Sequence, residues 1–281
     1  MEKKNTFLTV ITFLLFIIVA IVILIPFLAI FLGSFKDGTD MIRNGLNLKI
    51  EFNKMSLDNF KFLFSRAEEA RKYFVWYKNS MILTISQVAL TLIVSAFVGY
   101  GFAAYEFKGK NALFLCVLLI MSIPFEILML PLYKQVGDMG ISDSYSAIML
   151  PFIAHASTIF FFRQYLAGIP KEIIEAGRID GASEYGIFAR LILPIMKPSF
   201  AAMAILNAMN SWNNFLWPLL VLRSDSKYTL PIGLNTLLSP YGNNYDLLIV
   251  GSFFAILPIF ILFLFFQKYF IEGMTAGAVK G

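Results

Sequence analysis

Few side chains in this 281-residue sequence could make or break bonds. His155 is its one histidine and Cys116 its one cysteine. None of G-x4-G-K-[ST], G-x-S-x-G and H-E-x-x-H occurs, so the sequence shows no phosphate-cradling loop, nucleophile elbow or zinc helix. No metal-ligand cluster or nucleophile–base set is visible, and the chain is read as a non-enzyme with no cofactor of its own. His155 lies in an apolar run and is read as a hydrogen-bonded packing residue, with a proton relay as the alternative. Cys116 cannot form an internal disulfide and reads as a small hydrophobe.

Binding chemistry is better represented. Asn207, Asn210, Asn214 and Trp217 are spaced 3, 4 and 3 apart, and Ser80, Thr84, Gln87, Thr91 and Ser95 are spaced 4, 3, 4 and 4. On a helix each set shares one face. Amides donate to and accept from hydroxyls, and an aromatic face covers the apolar side of a ring, so the first set, with Gln87, reads as a pathway for a hydroxylated ligand. The competing readings are that the stripes hold helices together and that Trp217 is an interfacial anchor. Glu126, between Pro124 and Pro131, is the one carboxyl inside an apolar run; it is read either as a functional group on the pathway or as a wetted residue near a span's outer end. The prolines would kink that span.

Membrane spans must position these groups. Hydrophobic residues make up 58% of the chain and charged residues 15%, against roughly 45–50% and about 25% in soluble domains. A mean hydropathy of +0.73 agrees. This balance excludes disorder, a disulfide scaffold and a nucleic-acid-binding domain. The net charge of +5 is read as loop charge at a membrane surface. Charge-free runs of 18 or more residues mark spanning helices. Such runs cover residues 5–35, 79–105, 144–162, 198–222 and 247–267, and a sixth, 111–133, is interrupted only by Glu126. They do not alternate as barrel strands do. The predicted fold is an all-α membrane protein, a single transmembrane domain over 1–281, with spans at about 7–32, 79–104, 112–133, 145–163, 198–222 and 247–268. The first run is too long for a signal peptide and is read as a retained span.

Six spans put both termini on one side. If that side is cytoplasmic, the inner segments hold 11 Lys+Arg and the outer ones 12, nine of them between Lys36 and Lys78. A long outer connector weighs less than short loops, which favours cytoplasmic termini. The 36–78 loop is then extracellular; in it Ser56 could cap a short helix with Leu57, Phe60 and Phe64 on one face. The glycine-containing tail, 271–281, is read as cytoplasmic and flexible.

The connector 164–197 is also cytoplasmic in this reading. It is predicted to hold a helix from Lys171 to Ile179, with Ile173, Ile174 and Gly177 on one face and Glu172, Glu175 and Asp180 around the rest. A sharp turn at Gly181 follows, then a second helix capped by Ser183 and running through Arg190. Two short amphipathic helices joined this tightly make a knob able to pass force to the flanking spans; a solvated interfacial loop is the plainer alternative.

Glu175-Ala176-Gly177, then Gly181, then Leu191-Ile192-Leu193-Pro194 resembles the EAA loop of ABC-importer permeases, E-A-A-x3-G-x9-I-x-L-P, with Gly177 in place of the second Ala and Leu191 in place of Ile. Residues 211–218 (SWNNFLWP) and the ending from Tyr269 resemble the carbohydrate permeases of the maltose-transporter type, in particular the shorter, six-span partner of the pair. The resemblance implies a non-catalytic subunit in a bacterial cell membrane. Its partners would be a second, different permease, a cytoplasmic ATPase dimer that binds the ATP and magnesium, and an extracellular binding protein that delivers a sugar or oligosaccharide. It further implies ATPase coupling through Glu175, Ala176, Gly177, Asp180, Gly181, Leu193 and Pro194, with Glu175 pairing a basic residue of the ATPase. An ion-coupled transporter using Glu126 and His155 is the alternative function.

Overall fold

The structure is a computed structural model that describes residues 6–239 and 242–275. It is built of helices, and the one strand pair among the described residues is a two-residue antiparallel ladder in which Leu238 faces Asn243 and Ser239 faces Gly242. Among the described residues three helices are long and apolar enough to cross a membrane unaided: Phe7–Gly33, Glu68–Ala104 and Tyr245–Lys268. Three pairs of helices bent at short breaks, Lys110–Met121 with Phe125–Asp138, Tyr145–Phe152 with Ala156–Leu166, and Glu184–Ile195 with Lys197–Trp212, bring the number to six if each pair counts as one span.

The breaks correct three of the expected spans. The third is no kinked rod. Lys110–Met121 stops, and Phe125–Asp138 departs at 103°. Pro124 has no N–H to continue the ladder and forces the residue before it out of the helical region, whereas Pro131 is accommodated inside the second half. The fourth runs from Tyr145 through a tight turn at Leu150–Phe152, which contains Pro151, and resumes at Ala156–Leu166 with a 41° bend. The fifth is Lys197–Trp212, interrupted at residues 213–215 and resumed as Leu216–Val221. The second span begins eleven residues earlier than predicted, so residues 68–78 are helix and the external connector ends before them. The last helix runs to Thr275; of the predicted tail, residues 276–281 lie outside the described residues.

The chain forms two compact units. One comprises residues 1–74 and 233–257. Here the end of the first span is tied down by Asn59, whose Nδ2 donates to the carbonyls of Ser34 (3.1 Å) and Lys36 (2.7 Å). The helix expected after Ser56 forms as Asp58–Leu63, and Ser56 Oγ accepts from Asp58 N. Its buried face is Asn59 and Leu63, while Leu57 and Phe64 are exposed. Phe60 and Phe64 nevertheless share a face, both meeting Phe254 (6.2 and 5.8 Å), and Phe60 also meets Phe35 (4.9 Å) in an aromatic chain.

The other unit, residues 75–232 and 258–281, has two apolar centres. One gathers Leu83, Val136, Ala147, Ile148, Val221 and Ile232 around Trp217. The other packs Ile187, Phe188, Ile192 and Met196 of the predicted coupling loop against Tyr100, Phe162 and Met203 of three spans. Trp217 is fully buried; its Nε1 donates to Ala147 O (3.2 Å), and Phe125 and Phe152 meet it edge-on. Trp217→Ala should therefore destabilise the protein by about 3–5 kcal/mol. Thermal unfolding of the purified protein in detergent measures this, and an unchanged melting temperature would show that the ring does not hold this centre together.

Candidate functional site

The predicted coupling loop is a helix–turn–helix built on a glycine. Glu172–Ile179 ends in a Schellman cap: Gly181 N donates to Arg178 O (3.0 Å) and Ala182 N to Gly177 O (3.0 Å). The cap requires Gly181 at φ +74°, where a side chain is strained. Ser183 Oγ then accepts from Gly186 N (3.2 Å) and starts Glu184–Ile187. That helix continues past Arg190, the predicted end, through a π-turn at Phe188–Ile192 to Ile195. Met196 joins it to Lys197–Trp212 at 76°. The widened turn precedes Pro194, which can neither donate to the ladder nor sit in an unrelieved helix without a clash.

The two departures from the family pattern lie against each other. A Cβ on Gly177 would sit 2.9 Å from Leu191 Cδ1 and 3.0 Å from Ile187 Cγ1. The Leu191 and Ile187 side chains thus occupy the space that a methyl at 177 would need.

Arg178, Glu184 and Tyr105 hold the loop to the end of the second span. Arg178 Nε donates to Glu184 Oε1 (2.7 Å), Tyr105 Oη donates to Glu184 Oε2 (2.6 Å), and the guanidinium lies 5.8 Å from the centre of the Tyr105 ring. The Arg178 hydrogen bond, then that from Tyr105, keeps the Glu184 carboxyl below its ordinary pKa. Desolvation, then the bond to Glu184, pushes the Tyr105 phenol well above its ordinary range. A depressed carboxyl stabilises above its unfolded pKa, so this anchor is intact at neutral pH and is lost as pH falls through the folded value. Nothing in the sequence marked Tyr105, which is 79 residues from its partner.

What the anchor leaves uncommitted is the tip. Glu172, Glu175 and Asp180 are exposed, and their carboxylates make no hydrogen bond or ion pair among the described residues. Ile179 is 86% exposed and Tyr185 80%, so that no other described residue covers these apolar side chains. Ala176 is exposed as well, Leu193 and Pro194 are exposed at the root, and Gly177 is buried.

The predicted pathway residues separate. Asn207 is buried, donating to Thr158 Oγ1 (3.1 Å) and Met203 O (2.8 Å), so it holds two spans together. The helix ends at Trp212, so the 3–4–3 spacing does not carry one face through to Trp217, which is a core residue and neither pathway nor interfacial anchor. Asn210 is exposed and Asn214 half-buried, and neither side chain is hydrogen-bonded among the described residues. Gln87 is half-buried, with Ser211 Oγ at 3.5 Å. Two others of its stripe serve backbone groups, since Ser80 Oγ accepts from Leu230 N (2.7 Å) and Thr91 Oγ1 donates to Phe152 O (3.2 Å), whereas the buried hydroxyls of Thr84 and Ser95 have no hydrogen-bond partner among the described residues. Glu126 is exposed in the first turn of its half-helix, with no side-chain partner among the described residues. His155 Nδ1 pairs with the hydroxyls of Ser157 (2.9 Å) and Thr158 (3.3 Å) at the bend of the fourth span. His155 is thus hydrogen-bonded locally, and no hydrogen bond joins it to Glu126 among the described residues, so the alternative reading as a relay finds no support.

A second lock, unforeseen in the sequence, surrounds Asp143. Its Oδ1 accepts from the backbone N–H groups of Arg223 (2.9 Å) and Ser224 (3.1 Å), and its Oδ2 from Ser224 Oγ (2.6 Å) and Lys227 Nζ (3.0 Å). The backbone donation from Arg223, then the Ser224 hydroxyl, holds this carboxyl far below its ordinary range.

A helical membrane-spanning chain with a braced, exposed helix–turn–helix is the architecture of an importer permease, and sequence comparison agrees. Residues 92–276 match the family described as binding-protein-dependent transport system inner membrane component, and the chain belongs to it. It is therefore a membrane-embedded, non-catalytic permease subunit, with ATP hydrolysis on a separate subunit. It is 52% identical over 268 residues to the arabinooligosaccharides transport system permease protein AraQ of Bacillus subtilis (strain 168), covering 95% of this chain and 94% of that one. It is 34% identical over 255 residues to the lactose transport system permease protein LacG of Rhizobium radiobacter, covering 91% and 90%. The fold superimposes with a TM-score of 0.82 on a crystal structure of a bacterial ABC transporter involved in import of the acidic polysaccharide alginate, at 21% identity and over 96% of this chain and 99% of that one.

The Gly177–Leu191 contact is open to test. Gly177→Ala alone should lower the melting temperature although alanine is the better helix former, and Leu191→Ile should restore it in the double variant, with a coupling of about 0.5 kcal/mol or more. Additive effects in the thermal unfolding of the four proteins would show that the two positions are independent.

Proposed function

We propose that this chain is one half of the translocation pathway of an ATP-driven importer for oligosaccharides, with arabinose-containing oligosaccharides as the substrate class. The observation that carries the coupling part of this reading is the uncommitted acidic and apolar apex at Glu175, Ile179, Asp180 and Tyr185, set on a base that is both packed and ion-paired. The substrate class rests on the 52% identity, nearly end to end, to an arabinooligosaccharide permease. A second, different permease completes the pathway, an extracellular sugar-binding protein delivers the ligand, and a cytoplasmic ATPase dimer receives the coupling loop and holds the ATP and magnesium. Both termini and the 164–197 loop face the cytoplasm of a bacterial cell, and the 36–67 connector faces outward.

Force passes through the loop because its second helix is part of an apolar centre. When ATPase closure moves the apex, Ile187, Phe188 and Ile192 move with Tyr100 and Phe162, and the bend at Met196 carries the displacement into the fifth span. Glu175 meets a basic ATPase residue, and Gly181 keeps the apex in its docking shape. Along the pathway, Asn210 and Asn214 are the free amides that meet sugar hydroxyls, and Gln87 and Glu126 are further polar contacts.

Glu175→Lys should lower ATP-driven oligosaccharide uptake by the reconstituted complex about tenfold or more, the effect of putting like charges at a docked pair. Gly181→Pro should do the same, because proline cannot reach φ +74°. Asn210→Leu and Asn214→Leu should reduce uptake and change sugar preference while basal ATPase activity persists. Normal uptake by the first two variants would remove the loop from coupling, and normal uptake of every sugar by the others would remove the amides from the pathway.

Orientation is read by single cysteines at Asn53 and Tyr185 in a Cys116→Ala background, needed because Cys116 is exposed. The two should label from opposite sides of the membrane, and labelling of both from outside would overturn the assignment.

A further inference from the structure

At the root of the coupling loop lies an open groove of about 470 Å³, walled by Leu92, Phe200, Ala201, Ala204 and Phe266, with Leu193 and Pro194 at one end. Apart from Lys197 its lining is wholly apolar, with the small side chains of Ala201 and Ala204 leaving room in it. Lys197 is the one charged residue of the lining, with no acidic residue to balance it. It is exposed and makes no ion pair or side-chain hydrogen bond among the described residues. Lys197 opens the helix Lys197–Trp212, where the charged connector gives way to the apolar span, and so stands at headgroup depth. A lysine there lays its methylene stem along apolar surface and its ammonium among lipid headgroups.

We propose that this groove holds an acyl chain of an anionic phospholipid, with the phosphate paired to Lys197. The groove supplies apolar walls at hydrocarbon depth, and its single unbalanced cation stands where the lipid's charge would lie. A helix of the second permease seated in the same place would leave Lys197 uncompensated unless it brought an acid at the same depth. Because Leu193, Pro194 and the bend at Met196 border the groove, the bound lipid also braces the hinge between loop and span. That consequence rests on the importer reading above; the lipid site does not.

The test is lipid retention by the complete transporter complex, measured by native mass spectrometry after exchange from vesicles of equal parts phosphatidylglycerol and phosphatidylcholine. Lys197→Gln should reduce retained phosphatidylglycerol about fivefold, the loss of one lysine–headgroup attraction, and Lys197→Arg should preserve it. Ala204→Phe, which fills the groove, should release the lipid with Lys197 in place. Equal retention by Lys197→Gln and the parent would overturn the proposal, as would displacement of phosphatidylcholine and phosphatidylglycerol alike by Ala204→Phe with no effect at Lys197, which would indicate a neutral acyl groove. If Ala204→Phe prevents assembly, Ala204→Cys decides the occupant: cross-linking to the second permease would overturn the lipid assignment, and reaction with a maleimide-headed phospholipid would support it. Retention is read without transport, so its failure is distinct from failure of the proposed function.

Discussion

Hydrocarbon offers no partner to a backbone N–H or C=O, and every departure from a straight helix in this protein is shaped by that fact. Three of its crossings are broken, and a broken helix frees polar groups where water is absent. Side chains of the neighbouring helix take them up. Thr91 of the second span donates to Phe152 O at the bend of the fourth, and Ser80 of the same span accepts from Leu230 N. Asn79 donates to the carbonyls of Ser226 and Tyr228 (2.9 Å each). Trp217 serves Ala147 O, and in the other unit Asn59 serves the carbonyls that end the first span. Of the polar stripe of the second span, Ser80 and Thr91 are thus spent on irregular backbone, while Thr84 and Ser95 are not.

The same constraint explains how a small loop can be mobile as a body without becoming soft. Its first helix presents uncommitted carboxylates and Ile179 to the outside, while its second helix exposes Tyr185 and is buried along Ile187, Phe188 and Ile192. The Arg178–Glu184–Tyr105 anchor and the Schellman cap at Gly181 fix the angle between the halves. In the proposed coupling, a displacement of the apex reaches the spans through the π-turn and the bend at Met196, the places where the helical ladder is already irregular.

The sequence disclosed what depends on local spacing and bulk polarity. Charge-free runs located the crossings, and the glycine and serine of the loop located its turn and cap, because those signals are carried by the residues that form them. It did not disclose where the crossings break, although Pro124, Pro151 and the Asn213–Asn214 pair stood at the breaks: proline is compatible with both a kink and a full stop, as Pro131 within an unbroken helix shows. Helical spacing misassigned Trp217 because the helix that would have carried the stripe ends at Trp212. Asn207 looked like its neighbour Asn210, and only the position of Thr158 on another span separates a glue residue from a free one. The anchors at Glu184 and Asp143 join residues about 80 positions apart, beyond the reach of any periodicity.

The account stands on the apex of the loop being where the ATPase takes hold. A cysteine at Ile179, the most exposed of its apolar residues at 86%, reports on this directly when the purified complex is treated with a short bifunctional cross-linker. The cross-link should join this chain to the ATPase subunit with and without ATP, because the apex stays docked while the base moves. A cysteine at Ile179 that reacts freely with water-soluble maleimide in the assembled complex and joins to no ATPase subunit would contradict it.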